Sequence, residues 1–401
     1  MDKQRSTLAL LALAVSAFAI GTTEFISVGL LPLISKGMHV SVTTAGLTVT
    51  VYALGVTLGA PILTPLTASV PRKALLLWIM VLFIVGNGTA AMATSMEMLL
   101  VGRVLAALAH GVFMAIASTL AADVASEDRR ASAIAFMFTG LTVATVTGVP
   151  LGTFLGHQLG WRVAFMMIVA FGIVALVANS ILVPSNLPRG ARPNFSHQFA
   201  IVTNRRLLLM FIITALGYGG TFVVFTYLSP LLQDVTGFRG ATVAAILLVY
   251  GIAIAIGNFI GGRLANRRPL SALLYMFVAQ AVVLAILSLT APFKVAALVT
   301  IFGMGLLAFM NVPGLQVYVV QLAERFAPKA VDAASALNIA AFNAGIALGA
   351  YLGGIVARTL GLIHTPWIGA LMVLAAAILT GWSCVLERKD EQATEAKRAY
   401  L

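Results

Sequence analysis

The sequence predicts an all-α polytopic membrane protein with twelve transmembrane helices in two pseudo-symmetric six-helix halves. Three observations carry this. The 401 residues are 60% hydrophobic and only 9% charged, with a mean hydropathy of +1.02. A soluble domain carries about 25% charged residues, so a water-soluble globular protein is excluded. The chain also divides into about twelve apolar stretches, each near the roughly 20 residues that span a bilayer. Finally, an internal repeat relates the first six stretches to the last six.

In chain order the stretches fall at roughly 8–34, 42–68, 74–94, 97–124, 131–156, 162–183, 206–233, 240–264, 269–291, 294–324, 332–358 and 365–386. The first follows Lys3 and Arg5, as a secretory signal would. It runs on to about Leu33, far beyond a signal's apolar region of about 7–15 residues, and reads as a retained span. Lipid-exposed β-structure would alternate apolar and polar residues, and these runs do not.

Net charge is +12, with 25 Lys and Arg. With the N-terminus in the cytoplasm, 19 of the 25 fall at inside ends, among them Lys3, Arg5, Arg72, Lys73, Arg129, Arg130, Arg205, Arg206, Arg263, Arg267, Arg268, Arg325, Arg388 and Lys389. Lys36, Arg162, Arg239, Lys294 and Arg358 fall outside, and Arg103 lies within a span. This is the positive-inside asymmetry, which places both termini in the cytoplasm. The basic balance therefore calls for a lipid bilayer and no nucleic acid. Trp78, Trp161, Trp367 and Trp382 sit near span ends, as an interfacial belt requires. The single cysteine, Cys384, excludes an internal disulfide framework and a multi-cysteine metal site.

The polar connection 184–205 separates the spans six and six. The expected organisation is an N-terminal half over 1–183, a cytoplasmic linker over 184–205, a C-terminal half over 206–386 and a cytoplasmic tail over 387–401. Tyr52, Gly59 and Pro71 recur as Tyr250, Gly257 and Pro269, each displaced by 198 residues. Gly140, Ala144, Gly148, Gly152 and Gly156 form a small-residue ladder in the fifth span. Ala341, Gly345, Gly349, Gly353 and Ala357 form another in the eleventh, the shared glycines displaced by 197. Spacing of four sets each ladder on one helix face and permits close backbone approach. Two such halves with a site between them at mid-depth are a transporter architecture.

Of thirteen acidic residues, Glu24 alone lies deep within a span, and Asp123 reads as a helix-end charge. A charge at mid-membrane costs about 2.5–3.5 kcal/mol or more, so it faces the interior or a wet cavity. A carboxylate balanced between burial and a nearby cation takes up a proton from one side and releases it to the other; the alternative is permanent pairing as structural glue. At 1.5 Å per residue, Glu24 lies about 15 Å, Arg103 about 9 Å and His110 about 18 Å from the outer ends of their helices. Glu24 can therefore reach either partner. His110 is a second element of a protonation switch or a packing histidine. Arg103 contacts substrate or bonds carbonyls of neighbouring helices.

Pro150 bends the fifth span within its ladder, which serves either a rocking interface or simple close packing. Tyr218, Phe222 and Phe225 form a stripe in the seventh span, followed by Tyr227; they line a cavity or pack against lipid and neighbours. Asn338 shares the face of Ala341 and Gly345, and Asn343 is turned about 140° away. Each is a cavity residue or a helix–helix bond. Tyr52, Met114 and Asn311 complete the candidate cavity.

Taken with these features, the chain resembles the major facilitator superfamily, and within it the drug:proton antiporter-1 family with its sugar-efflux branch. The resemblance runs the length of the chain. It is carried by TTEF at 22–25, LLVGRVLAALAHG at 99–111, GLTVATVTGVPLGT at 140–153, GWRVAF at 160–165 and ALNIAAFNAGIALGAYLGG at 336–354. The stretch 140–153 is similar to the family's antiporter motif, with Gly140, Gly148, Pro150 and Gly152 in place and Val149 inserted before the proline. The loop motif after span two departs from the family pattern. Ala68 stands where an Asp is expected before Arg72 and Lys73, and the second-half copy, with Arg263 and Arg267, has Asn266 there. The resemblance implies the major facilitator fold, with Glu24 as proton-coupling acid and Arg103 as its partner or a shaper of the pocket.

The resulting expectation is proton-coupled efflux of small molecules such as drugs or sugars across a bacterial inner membrane, by alternating access. The expected protein is a monomer that uses protons and a small-molecule substrate, with no cofactor and no metal. An uptake permease or uniporter is the alternative within transport, and an integral-membrane enzyme the alternative outside it.

Overall fold

A computed structural model describes residues 3–67, 69–125, 130–185, 201–265 and 268–399. Among them twelve helices are long and apolar enough to cross a membrane. They are α1 (Lys3–Met38), α2 (Val42–Leu66), α3 (Arg72–Ala91), α4 (Met96–Val124), α5 (Arg130–Val143, extended to Leu159), α6 (Trp161–Leu182), α7 (Arg205–Phe225, extended to Val235), α8 (Gly240–Ala265), α9 (Pro269–Thr290), α10 (Lys294–Ala308 and Asn311–Phe326), α11 (Val331–Thr359) and α12 (Thr365–Ala399). Lipid offers backbone groups no partners, so spans this apolar satisfy their hydrogen bonds as helices. Among the described residues three connections turn through glycines at left-handed φ, Gly160 (+97°) between α5 and α6, Gly237 (+77°) between α7 and α8 and Gly361 (+100°) between α11 and α12. Side chains there would be strained.

Three spans are interrupted: α5, where the sequence predicts a bend at Pro150, and α7 and α10, where it predicts continuous helix. In α5 the ladder passes through a π-helical turn, Ala144–Gly148, just before Pro150. In α7 the helix loosens at Thr226 and Tyr227 and ends in a second π-helical turn, Leu231–Val235, after Pro230. In α10 it breaks at Phe309 and Met310. Each break lies within a few residues of a proline, which supplies no N–H to the preceding turn. In addition, α12 continues to Ala399, so the tail extends the last span as helix. Trp161 departs from the interfacial belt: it is buried, and a side chain at Gly37 of α1 would meet its indole.

The repeat is visible as packing. In the first half α2 lies on α4, with Gly55 against Ala107 and Gly59 against Leu108. In the second half α8 lies on α10, with Gly305 against Ala253 and Gly257 against Leu306. All four residues of the second set stand 198 beyond their counterparts. The α5 ladder lies on α1, with Gly140 against Ala14, Gly148 against Thr22, Gly152 against Ile26 and Gly156 against Leu30. The α11 ladder lies on α7, with Gly345 against Ala215, Gly349 against Gly219 and Gly353 against Val223. Each half also ties its first helix to its third by a buried polar pair. Thr23 Oγ1 donates to Asn87 Oδ1 at 3.1 Å, and Gln280 Nε2 donates to Thr221 Oγ1 at 3.2 Å.

The halves meet through α2 on α11 and α5 on α8. Thr57 Oγ1 donates to the Ala340 carbonyl at 3.5 Å, and Gly251 fits against Thr145 and Val146 of the π-helical turn. On the face opposite the termini α1 and α7 also close together, with Ser229 Oγ donating to the Gly29 carbonyl at 3.4 Å.

A side chain at Gly349 would collide with the Gly219 carbonyl, whereas nothing lies within 4 Å of a side chain at Gly88. Gly349→Ala is expected to cost about 1–3 kcal/mol through overpacking, and Gly88→Ala nothing. Apparent melting temperatures of the two purified variants against the parent check this.

Candidate functional site

The deep charges of the first half converge where α1, α2 and α4 cross. Arg103 is fully buried, and its guanidinium is directed at backbone. Nη1 donates to the Thr23 carbonyl at 2.8 Å, Nε to the Thr48 carbonyl at 3.1 Å and Nη2 to the Glu24 carbonyl at 3.4 Å. Its Cζ lies 4.1 Å from the centroid of the Tyr52 ring, a cation–π contact worth about 2 kcal/mol when desolvated. Of the two roles open to Arg103, the geometry is that of a clamp on neighbouring helices. Tyr52 also shares a 3.1 Å hydrogen bond between its hydroxyl and His110 Nδ1. His110 thus bonds Tyr52 rather than Glu24.

Glu24 is 8% exposed. Among the described residues no hydrogen bond or ion pair reaches its carboxyl group; Arg103 holds its backbone carbonyl instead. Three ionisable neighbours feel its charge: Arg103 and Tyr52 in its own half and Tyr218 across the interface. A carboxyl group next to a cation yet unbonded can exchange its proton without breaking a structural contact.

Beside Glu24, Phe25 crosses to the second half. Its ring lies 5.9 Å from Phe222, 6.1 Å from Phe225 and 6.1 Å from Phe309. Tyr218 lies 5.1 Å from Phe222, 5.3 Å from Phe309 and 5.0 Å from Phe342, and Phe225 stacks on Tyr250 at 5.1 Å. The α7 stripe of Tyr218, Phe222 and Phe225 therefore belongs to a buried aromatic cluster between the halves. Several polar atoms in the same helices lack hydrogen-bond partners: Tyr250 Oη, Asn343 Oδ1 and both amide atoms of Asn311. Such groups normally have partners when buried, so they are places where a ligand or water would bond. Phe25, Phe309 and Phe342 do not stand out in the sequence, because they come from three different helices and only the fold brings them together. Phe342 lies one residue from Asn343, and Phe309 two from Asn311; neither spacing marks a face.

Other candidates lie elsewhere. Tyr227 sits between α2 and α11, its hydroxyl donating to the Ala350 carbonyl at 3.3 Å. Met114 packs into the core of the first half. Asn338 is a helix–helix bond: Thr214 Oγ1 donates to its Oδ1 at 2.8 Å, and its Nδ2 donates to Gln316 Oε1 at 2.9 Å. On the face of the termini, Arg72 forms an ion pair with Asp123 of α4. Asp123 is thus more than a helix-end charge, and it supplies an acid near the loop where Ala68 replaces one. Lys73 Nζ donates to the Ser180 carbonyl in the last turn of α6 at 2.8 Å, and the Arg263 guanidinium covers the Phe259 ring at 4.2 Å. Ala68, Asn266 and Arg267 lie outside the described residues.

Comparison with known proteins agrees with this architecture. The sequence profile of the Major Facilitator Superfamily matches residues 13–326. The chain is 69% identical over 384 residues to a Bacillus subtilis (strain 168) protein described as "Uncharacterized MFS-type transporter YtbD", covering 96% of this chain and 97% of that one. It is 33% identical over 376 residues to a Streptomyces lividans protein described as "Chloramphenicol resistance protein", covering 93% and 95%. The crystal structure of a bacterial homologue of the human lysosomal transporter Spinster superposes with a TM-score of 0.70 at 17% identity, covering 96% of each chain.

The clamp and the free carboxyl group separate in stability. Arg103→Ala leaves three carbonyls without their added donor and is expected to lower stability by about 3 kcal/mol or more. Glu24→Gln removes no bond and is expected to melt close to the parent and well above Arg103→Ala. Thermal unfolding in detergent reads both.

Proposed function

The chain belongs to the Major Facilitator Superfamily, and we propose that it is a proton-coupled exporter of apolar, drug-like small molecules working by alternating access. It is a multi-pass membrane transporter rather than an enzyme. The observation that carries the coupling role is the Glu24 carboxyl group, unbonded and beside Arg103, with Tyr218 of the other half within electrostatic reach. The substrate class is supported by the aromatic cluster next to it, which offers ring faces for apolar contact and only a few unpaired polar atoms. The name of the Streptomyces lividans relative points the same way.

In this reading the two halves, 1–183 and 206–386, rock about the α2–α11 and α5–α8 contacts, joined by the linker 184–205 and followed by the tail 387–401. The protein is a monomer in a bacterial inner membrane, with both termini cytoplasmic by the positive-inside asymmetry. Protonation of Glu24 from the outside neutralises the only deep carboxylate and releases substrate outward. Deprotonation to the cytoplasm restores the charge and accompanies rebinding. The closed contact of α1 and α7 opposite the termini corresponds to a state shut to the outside. The Arg72–Asp123 pair and the Lys73–Ser180 bond brace α3 against α4 and α6 at the cytoplasmic face.

Inside-out proteoliposomes made acid inside test this with chloramphenicol and a panel of uncharged aromatic drugs. One pH unit at one proton per substrate sustains about a tenfold concentration ratio. The parent is expected to accumulate at least one compound against its gradient. Glu24→Gln is expected to equilibrate it without accumulation while retaining exchange at equal pH. Accumulation by Glu24→Gln equal to the parent's would refute the coupling role.

A further inference from the structure

On the face opposite the termini a cavity of about 190 Å³ opens between α2 and α11, and Glu24 is not among its lining residues. Its lining includes the hydroxyl-bearing Thr43, Thr44, Thr50 and Tyr227, and among the described residues Arg358 is the one charged residue of that lining. We propose that this cavity binds an anionic, phosphate-bearing glycerol headgroup, that of a phosphatidylglycerol-type lipid in the leaflet at that face.

The first support is Thr50. Thr48 and Thr57 of the same helix donate to carbonyls three or four residues earlier, at 2.7 and 2.8 Å. Thr50 is one of the residues lining the cavity, and its buried hydroxyl has no partner. An unpaired buried hydroxyl in a polar cavity is a place for a ligand oxygen. The second support is Arg358. It is exposed at the last turn of α11, and among the described residues it forms no ion pair. A guanidinium so placed suits bidentate bonding to phosphate.

The composition of the wall narrows the class. Among the described residues no acidic side chain lines the cavity, so an ethanolamine or choline headgroup would bring an ammonium with no counter-charge, whereas a glycerol headgroup brings hydroxyls. Thr43, Thr50 and the Tyr227 oxygen can bond those hydroxyls. Arg358 stands in the last turn of α11 and Ala350 about two turns earlier, which sets a phosphate toward the mouth and glycerol oxygens deeper. Gly354 keeps the floor open, since a side chain there would meet the Tyr227 hydroxyl at 2.6 Å. Tyr351 and Ile355 on the same wall are exposed and apolar, giving acyl chains a path out of the cavity. Trp367, partly exposed at the start of α12, stands at the same end of the bundle, the level an interfacial tryptophan occupies.

This inference concerns lipid binding alone and stands or falls independently of proton-coupled export. Native mass spectrometry of the full-length protein, from micelles holding equal amounts of palmitoyl-oleoyl phosphatidylglycerol and phosphatidylcholine, tests it. A parallel arm offers free glycerol phosphate. The parent is expected to retain one phosphatidylglycerol in preference to phosphatidylcholine. Arg358→Ala is expected to reduce retention about tenfold, Arg358→Lys to restore part of it and Thr50→Val to weaken it, all three melting like the parent. Equal retention of the two lipids, or undiminished retention by Arg358→Ala, overturns the proposal. Retention of glycerol phosphate without phosphatidylglycerol overturns the lipid source in favour of an aqueous anion.

Discussion

The structure around the functional centre depends on one buried cation bonded to backbone. A guanidinium at mid-membrane is tolerated only if its charge and donors are satisfied within the protein. Arg103 meets that demand with the carbonyls of Thr23, Glu24 and Thr48 and the face of Tyr52. A helical carbonyl keeps a second lone pair after its intrahelical bond, so α1 and α2 accept these donors without unwinding. The bonds fix α1, α2 and α4 at a single crossing. They also set the position of Glu24 through its backbone while leaving its carboxyl group uncommitted. An Arg–carboxylate pair in the same place would have locked the group that the proposed proton coupling requires to be labile.

The repeat makes the asymmetry of the halves informative. Packing of α2 on α4 and of α8 on α10 is related by one offset of 198 residues, down to the Gly55–Ala107 and Ala253–Gly305 contacts. At that offset Tyr52 becomes Tyr250, Arg103 becomes Ile301 and His110 becomes Ala308. Tyr250 accordingly loses its cation and histidine partners and stacks on Phe225 instead. One scaffold, used twice, thus carries charge in the first half and aromatic surface in the second. Glu24 and Phe25, adjacent on α1, stand at the seam between them. Close backbone approach in both ladders lets the helices bearing these groups, α1 and α7, pack tightly against α5 and α11.

Much of this was legible in the sequence, for definite reasons. The twelve spans follow from apolar run length, and the ladders and the repeat from spacing that survives without knowledge of contacts. Glu24 and Arg103 stood out because charge is so costly at their depth. What the sequence did not disclose depends on distance across the fold or on local unwinding. The Arg72–Asp123 pair joins residues on different helices, so Asp123 read as a simple helix-end charge. Tyr227 follows the aromatic stripe in sequence, yet the loosened turn at Thr226 and Tyr227 carries it to the α2–α11 contact. Pro313 signals the break in α10, but its effect on Phe309 and Asn311 appears only once the helix is built. Phe25, Phe309 and Phe342 come from three helices, and no one-dimensional pattern joins them.

The central claim is that the Glu24 carboxyl group is held in place yet free to titrate. Infrared difference spectroscopy of the protein in lipid, recorded between alkaline and acid pH, tests it most directly. The account predicts that one component of the protonated-carboxyl band growing on acidification in the parent is missing from Glu24→Gln. An identical band in both proteins would contradict it.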